Sequence, residues 1–116
     1  MQVKRFHNIF DMENCGKKIG DRKIVREFIE KLAEEIDMNI LEGPIIAEGL
    51  PHSPGFSVLA IIDFSHISIH TFTRQKEALI DVFSCKEYDK KKVHGLCKKY
   101  FGTKDTKTRA REVWWG

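Results

Sequence analysis

The run Ser65-His66-Ile67-Ser68-Ile69-His70-Thr71 places two imidazoles and two serine hydroxyls within seven residues. Such a cluster has three readings, and spacing weighs them differently. Metal ligation fits badly, because on a strand His66 and His70 would stand about 13 Å apart along one face, too far to share an ion. Serine hydrolysis needs a strained strand-to-helix elbow of the form G-x-S-x-G, and the chain has none here. The third reading is an ordinary strand whose exposed side carries His66, Ser68 and His70 and whose other side buries Ile67 and Ile69. Cys85 is read in the same way, since a free cysteine most often serves as a small buried hydrophobe. Spacing alone leaves the function open.

The elements that must position these residues can be read from periodicity. A first strand is expected over Val3 to Met12, with Phe6, Asn8, Phe10 and Met12 on one side. After Asn14-Cys15-Gly16, Asp21 offers an N-cap to a helix over about 22–37, in which Ile24, Val25, Phe28, Ile29, Leu32, Ala33 and Ile36 recur at intervals of three and four. Strands are expected over Asn39–Ala47, Phe56–Asp63, His66–Phe72 and Ala78–Cys85. Pro51 and Pro54 break the chain between the first two of these, in a loop that leaves His52 in solvent. A second helix, capped by Asp89 and ended by Gly102, carries Val93, Leu96, Cys97, Tyr100 and Phe101. A last strand spans Lys107 to Trp115, with Trp114 and Trp115 read as packing or interface residues. The expected fold is α+β: a two-layer sandwich, a mostly antiparallel sheet with both helices packed on one face.

With 116 residues, 41% of them hydrophobic and 32% charged, the chain fits one domain over 1–116. Its net charge of +3 is too small and too evenly spread for a nucleic-acid footprint. No apolar run approaches the roughly 20 residues of a membrane span, and Met1 to Arg5 opens no apolar signal core, so a cytoplasmic location is expected. Three cysteines without a CxxC spacing suggest neither a disulfide framework nor a zinc site.

Three separated blocks carry more information than the first cluster alone. Gly55-Phe56-Ser57, Ser65 through Phe72, and Ala78-Leu79-Ile80-Asp81-Val82-Phe83-Ser84-Cys85 follow one another in the order and separation of the short prokaryotic S-adenosylmethionine decarboxylase proenzymes, which the chain resembles. The resemblance is strong over 55–85 and extends weakly over nearly the whole length. It implies a pyruvoyl-dependent enzyme of spermidine and wider polyamine synthesis, formed by self-cleavage between Phe64 and Ser65, with the pyruvoyl group made from Ser65. His70 matches the histidine that takes a proton during maturation, a role suited to an imidazole. Ser57 matches the hydroxyl that supports the acyl shift. Cys85 matches the cysteine that returns a proton to the substrate carbon, and an ordinary thiol is mostly protonated at neutral pH. No metal is implied, and the family pairs into homodimers.

The departures from the family pattern bear on substrate. Phe64 stands where a glutamate usually precedes the cleaved serine, Thr73 and Arg74 replace a Pro-Glu pair, and Val58 replaces a glycine. Arg74 offers donors only, and its charge opposes a sulfonium. Phe64, Arg74 and Glu77 are the candidate substrate contacts, with Asp63 and Glu77 as candidates for a displaced carboxylate. The leading expectation is therefore S-adenosylmethionine decarboxylation. The alternatives are a pyruvoyl-dependent arginine or ornithine decarboxylase of the same fold, or an unprocessed, non-catalytic homologue acting as a regulatory partner.

Overall fold

A computed structural model describes residues 3–115; Met1 and Gln2, part of the polar opening stretch, and Gly116 lie outside the described residues. The elements in chain order are β1 (Phe6–Glu13), α1 (Arg22–Glu35), β2 (Ile40–Glu48), β3 (Phe56–Ile62), β4 (Ser65–Phe72), β5 (Glu77–Ser84), α2 (Lys90–Phe101) and β6 (Lys107–Glu112). The strands form one sheet in the order β2-β3-β4-β5-β1-β6. Every neighbouring pair is antiparallel. This is the expected two-layer sandwich, with the sheet antiparallel throughout.

Both helix starts follow from their caps. Asp21 accepts the backbone N–H groups of Lys23 (3.0 Å) and Ile24 (3.2 Å), and Asp89 does the same for Lys91 (2.9 Å) and Lys92 (3.4 Å). These bonds satisfy donors that the first helical turn leaves without partners. Val25, Phe28, Ile29 and Leu32 of α1 and Val93, Cys97 and Phe101 of α2 are buried against alternate sheet residues, among them Phe10, Met12, Val58, Ala60, Ile67, Ile69, Ile80 and Val82. Phe28 joins the two helices, its ring centroid 4.8 Å from Phe101 and 5.4 Å from Tyr100. Phe28→Ala is expected to cost about 3–5 kcal/mol of stability, read from guanidinium unfolding, because so well-packed a site cannot collapse onto the void.

Two strand ends fall three residues short of the sequence reading, each for a reason of pairing. β1 begins at Phe6 and not Val3, because its partner β5 runs out where Phe6 meets Ser84. β6 stops at Glu112, three residues before Trp115, since β1 offers only a last bond from Val113 N–H to the His7 carbonyl (2.8 Å). The segment 17–20 forms a single 3₁₀ turn that buries Ile19, too short to leave a periodic signal. Alternation holds throughout β3, β4 and β5, so one sheet face meets the helices and the other is open. That open face carries Ser57, Leu59, Ile61, His66, Ser68, His70, Leu79, Asp81 and Phe83.

Candidate active site

β3 and β4 are joined by a two-residue turn, Asp63-Phe64, with Ile62 paired to Ser65 across it. The Phe64–Ser65 peptide bond therefore sits at the tip of a hairpin. Ser65 has φ 144°, a left-handed conformation that a residue with a side chain adopts only under strain. β5 lies on the other side of β4, pairing Ser84 with Ser65, and so delivers the next residue to the same place. The Cys85 backbone N–H donates to the Phe64 carbonyl oxygen at 3.0 Å. Ser65, the Phe64 carbonyl and Cys85 are thus brought together by register alone. A donor on that oxygen makes its carbon more open to attack and supports the charge that develops there.

The other two predicted site residues form a second pair. Ser57 and His70 face one another across β3 and β4, and the Ser57 hydroxyl lies 2.8 Å from His70 Nδ1. The approach depends on Gly55, at φ 150°, where a Cβ would run into the Thr71 carbonyl as β3 tucks beneath β4. The two pairs do not meet within one chain. His70 is five residues along β4 from Ser65, a separation of about 16 Å at strand rise. A groove of about 800 Å³ on the open face spans that interval and is lined by Ser57, Ser65, His66, Ser68, His70 and Phe83 together with aliphatic side chains. No aspartate or glutamate is among its described lining residues.

The remaining candidates lie outside this groove in the single chain. Arg74 follows β4 at the end away from Ser65, where it donates to the His52 (3.1 Å) and Pro51 (3.4 Å) carbonyls and ties down the Pro51–Pro54 loop. Glu77 is exposed and opposite Phe72 at that same end. The Asp63 carboxylate is held by Asn39. Phe64 stays partly exposed at the hairpin tip, with the Lys86 ammonium 5.4 Å from its ring centroid.

The cysteines separate by environment. Burial is the main reason that Cys15 is pushed up to about 11 and Cys97 to about 12, so both are inert core thiols. Cys85 is half-buried and follows the end of β5 beside Ser65, outside the groove lining in the single chain.

Sequence reading missed His7, Asp81 and Phe83. His7 Nε2 lies 2.8 Å from Asp81 Oδ1, and His66 Nε2 lies 3.8 Å from the same oxygen. Phe83 stacks on His66 at 5.6 Å and meets His7 edge-on at 5.2 Å. Alternation on β1 and β5 places all three on the open face, but only the register shows that strands remote in sequence align them beside His66.

The sequence matches the family model described as S-adenosylmethionine decarboxylase over residues 6–112. The chain belongs to this decarboxylase family. An S-adenosylmethionine decarboxylase proenzyme of Clostridium botulinum (strain Loch Maree / Type A3) is 32% identical over 97 residues, covering 80% of this chain and 79% of that one. A proenzyme of the same name from Sulfolobus acidocaldarius is 34% identical over 67 residues, 58% of this chain and 52% of its own. An arginine decarboxylase proenzyme of Caldivirga maquilingensis is 31% identical over 74 residues, 64% and 55% of the two chains. The crystal structure of the Aquifex aeolicus adenosylmethionine decarboxylase superposes with a TM-score of 0.77, covering 96% of this chain and 91% of that one at 19% identity, which shows a shared fold. Membership in the decarboxylase family matches the leading sequence expectation, and the arginine decarboxylase relative keeps the choice of substrate a separate question.

Proposed function

We propose that the chain is the precursor of a pyruvoyl-dependent S-adenosylmethionine decarboxylase that cleaves itself between Phe64 and Ser65. The observation that carries this reading is the hairpin tip: a strained Ser65 beside a carbonyl already held by the Cys85 N–H. The Ser65 Oγ attacks the Phe64 carbonyl carbon; the C–O bond forms as the C–N bond breaks, and an ester replaces the amide. An imidazole then removes the Ser65 α-proton, the ester C–O bond breaks, and Phe64 leaves as a carboxylate. Hydrolysis of the remaining dehydroalanine releases ammonia and leaves a ketone at position 65. That group supplies an electron sink for loss of carbon dioxide from a substrate bearing an amine.

Ser65, positioned at the groove, fits this origin of the cofactor, and Cys85, whose backbone N–H holds the Phe64 carbonyl, is the residue proposed to return a proton to the substrate. Cys85→Ala keeps the backbone N–H that holds the Phe64 carbonyl. It is expected to leave cleavage at its normal rate while lowering turnover by about 10²–10⁴-fold, the range of a lost general acid. Equal turnover in that variant removes Cys85 from the role.

The proton acceptor in maturation is His70 of the partner subunit. Within one chain His70 is too far from Ser65, and the open face exposes Ile45, Leu59, Ile61 and Leu79 beside the groove. Exposed aliphatic side chains flanking a groove in this way call for a covering surface. A twofold axis lying between two such faces and perpendicular to β4 sets the His70 end of one sheet over the Ser65 end of the other, and generates two identical sites in a homodimer. It carries Arg74 and Glu77 of one subunit to the Ser65 end of the other.

The groove favours S-adenosylmethionine over arginine or ornithine. Its largely apolar lining, with the Phe83 and His66 rings, offers a flat nucleoside more contact than a slender side chain ending in guanidinium or ammonium. Carbon dioxide release from S-adenosylmethionine, arginine and ornithine, measured side by side on cleaved protein, tests the choice. Release from either amino acid in preference to S-adenosylmethionine overturns the substrate assignment, and an intact chain with no release supports the regulatory-partner alternative.

A further inference from the structure

Two-residue hairpin turns ordinarily place their positive φ angles on the two turn residues, and glycine or asparagine is favoured there. Asp63-Phe64 is neither, and neither residue has positive φ; the left-handed excursion falls instead on Ser65 at 144°. Such a turn is not one that the hairpin takes unaided. Three bonds hold it from outside: Asn39 N–H to Asp63 Oδ1 (3.2 Å), Asn39 Nδ2 to Asp63 Oδ2 (3.0 Å), and Asp63 N–H to the Asn39 carbonyl (3.0 Å). Asn39 immediately precedes β2, so the tip is tied back to the sheet on the N-terminal side of the bond. On the other strand neighbour, Cys85 N–H holds the Phe64 carbonyl.

From this geometry we infer that Asp63 and Asn39 form a clamp that holds Ser65 in its strained conformation; resting on the self-cleavage reading, the same clamp makes Asp63 a positioning residue for maturation. With Asp63 and the Phe64 carbonyl held on one side of the linkage, and Ser65 paired to Ile62 and Ser84 on the other, the turn cannot swing to relieve Ser65. Strain kept in the reactant and released when the linkage breaks lowers the barrier to the acyl shift.

A thermal cycle reads the strain without any cleavage. Ser65→Gly and Ser65→Ala both lack the hydroxyl and both stay intact, and only glycine occupies φ 144° freely. With Asp63 present, the glycine chain should melt above the alanine chain by about 5 °C. Adding Asp63→Ala to both should close most of that gap, because the freed turn no longer penalises a Cβ. In the cleavable chain, Asp63→Ala should slow fragment formation by about tenfold. Asn39→Asp alone should slow it further by opposing two carboxylates. The exchange Asn39→Asp with Asp63→Asn, which restores the bonds in reverse, should recover the wild-type rate. An unchanged melting gap overturns the clamp whatever the cleavage rates are. A closing gap in a protein whose wild-type chain never cleaves supports the clamp and overturns the self-cleavage reading. A closing gap with unaltered cleavage in Asp63→Ala overturns the positioning role.

Discussion

Replacing Ser65 with alanine is expected to leave a single intact chain at all incubation times and to reduce carbon dioxide release by at least about a thousandfold, as loss of a reacting group does. The fold should be retained, because the turn residues and the bonds from Asn39 and Cys85 lie outside the substituted side chain. The size of the effect follows from using one side chain twice. In the proposed reaction its hydroxyl is the nucleophile of maturation, and the same residue then becomes the ketone on which decarboxylation depends. Fragments in denaturing electrophoresis of Ser65→Ala would contradict the assignment.

His70→Ala should slow cleavage by about 10²–10⁴-fold, the range for a positioned proton acceptor, yet co-expression with Ser65→Ala should restore it. In a mixed dimer, one site combines Ser65 from the His70→Ala chain with His70 from the Ser65→Ala chain, and the other site has neither. Random pairing of equal amounts should mature about half of the His70→Ala chains and none of the Ser65→Ala chains. The two are distinguished by a mass tag. Neither variant recovers alone, so rescue requires groups from two subunits to meet. Absence of rescue despite mixed dimers, shown by co-purification through the tag, would mean that His70 reaches Ser65 within its own chain or takes no part.

Much of the scaffold was legible because local physics and tertiary packing agree. The caps Asp21 and Asp89, the three-and-four spacing in α1 and α2, and the alternation of Ile67 and Ile69 against His66, Ser68 and His70 all describe single segments, and each held. The strand order was not legible. β1 lies between β5 and β6, a placement that depends on both helices crossing one face, and it alone sets His7 beside Asp81 and His66. The resemblance picked out Ser57, Ser65, His70 and Cys85, but not that they form two pairs at opposite ends of β4. That division is a matter of rise per residue along a strand. The clamp at Asp63 was likewise hidden, because Asn39 and Asp63 are 24 residues apart and meet only when β2 pairs with β3.

Rearrangement of the Phe64–Ser65 peptide bond is tested most directly by intact mass spectrometry of freshly purified wild-type protein. Two fragments are expected, 1–64 with a free carboxylate at Phe64 and 65–116 lighter by one ammonia than a serine-initiated chain, with a carbonyl trapped by hydrazine. A chain that stays whole on long incubation, or a 65–116 fragment that begins with unaltered serine, would contradict it.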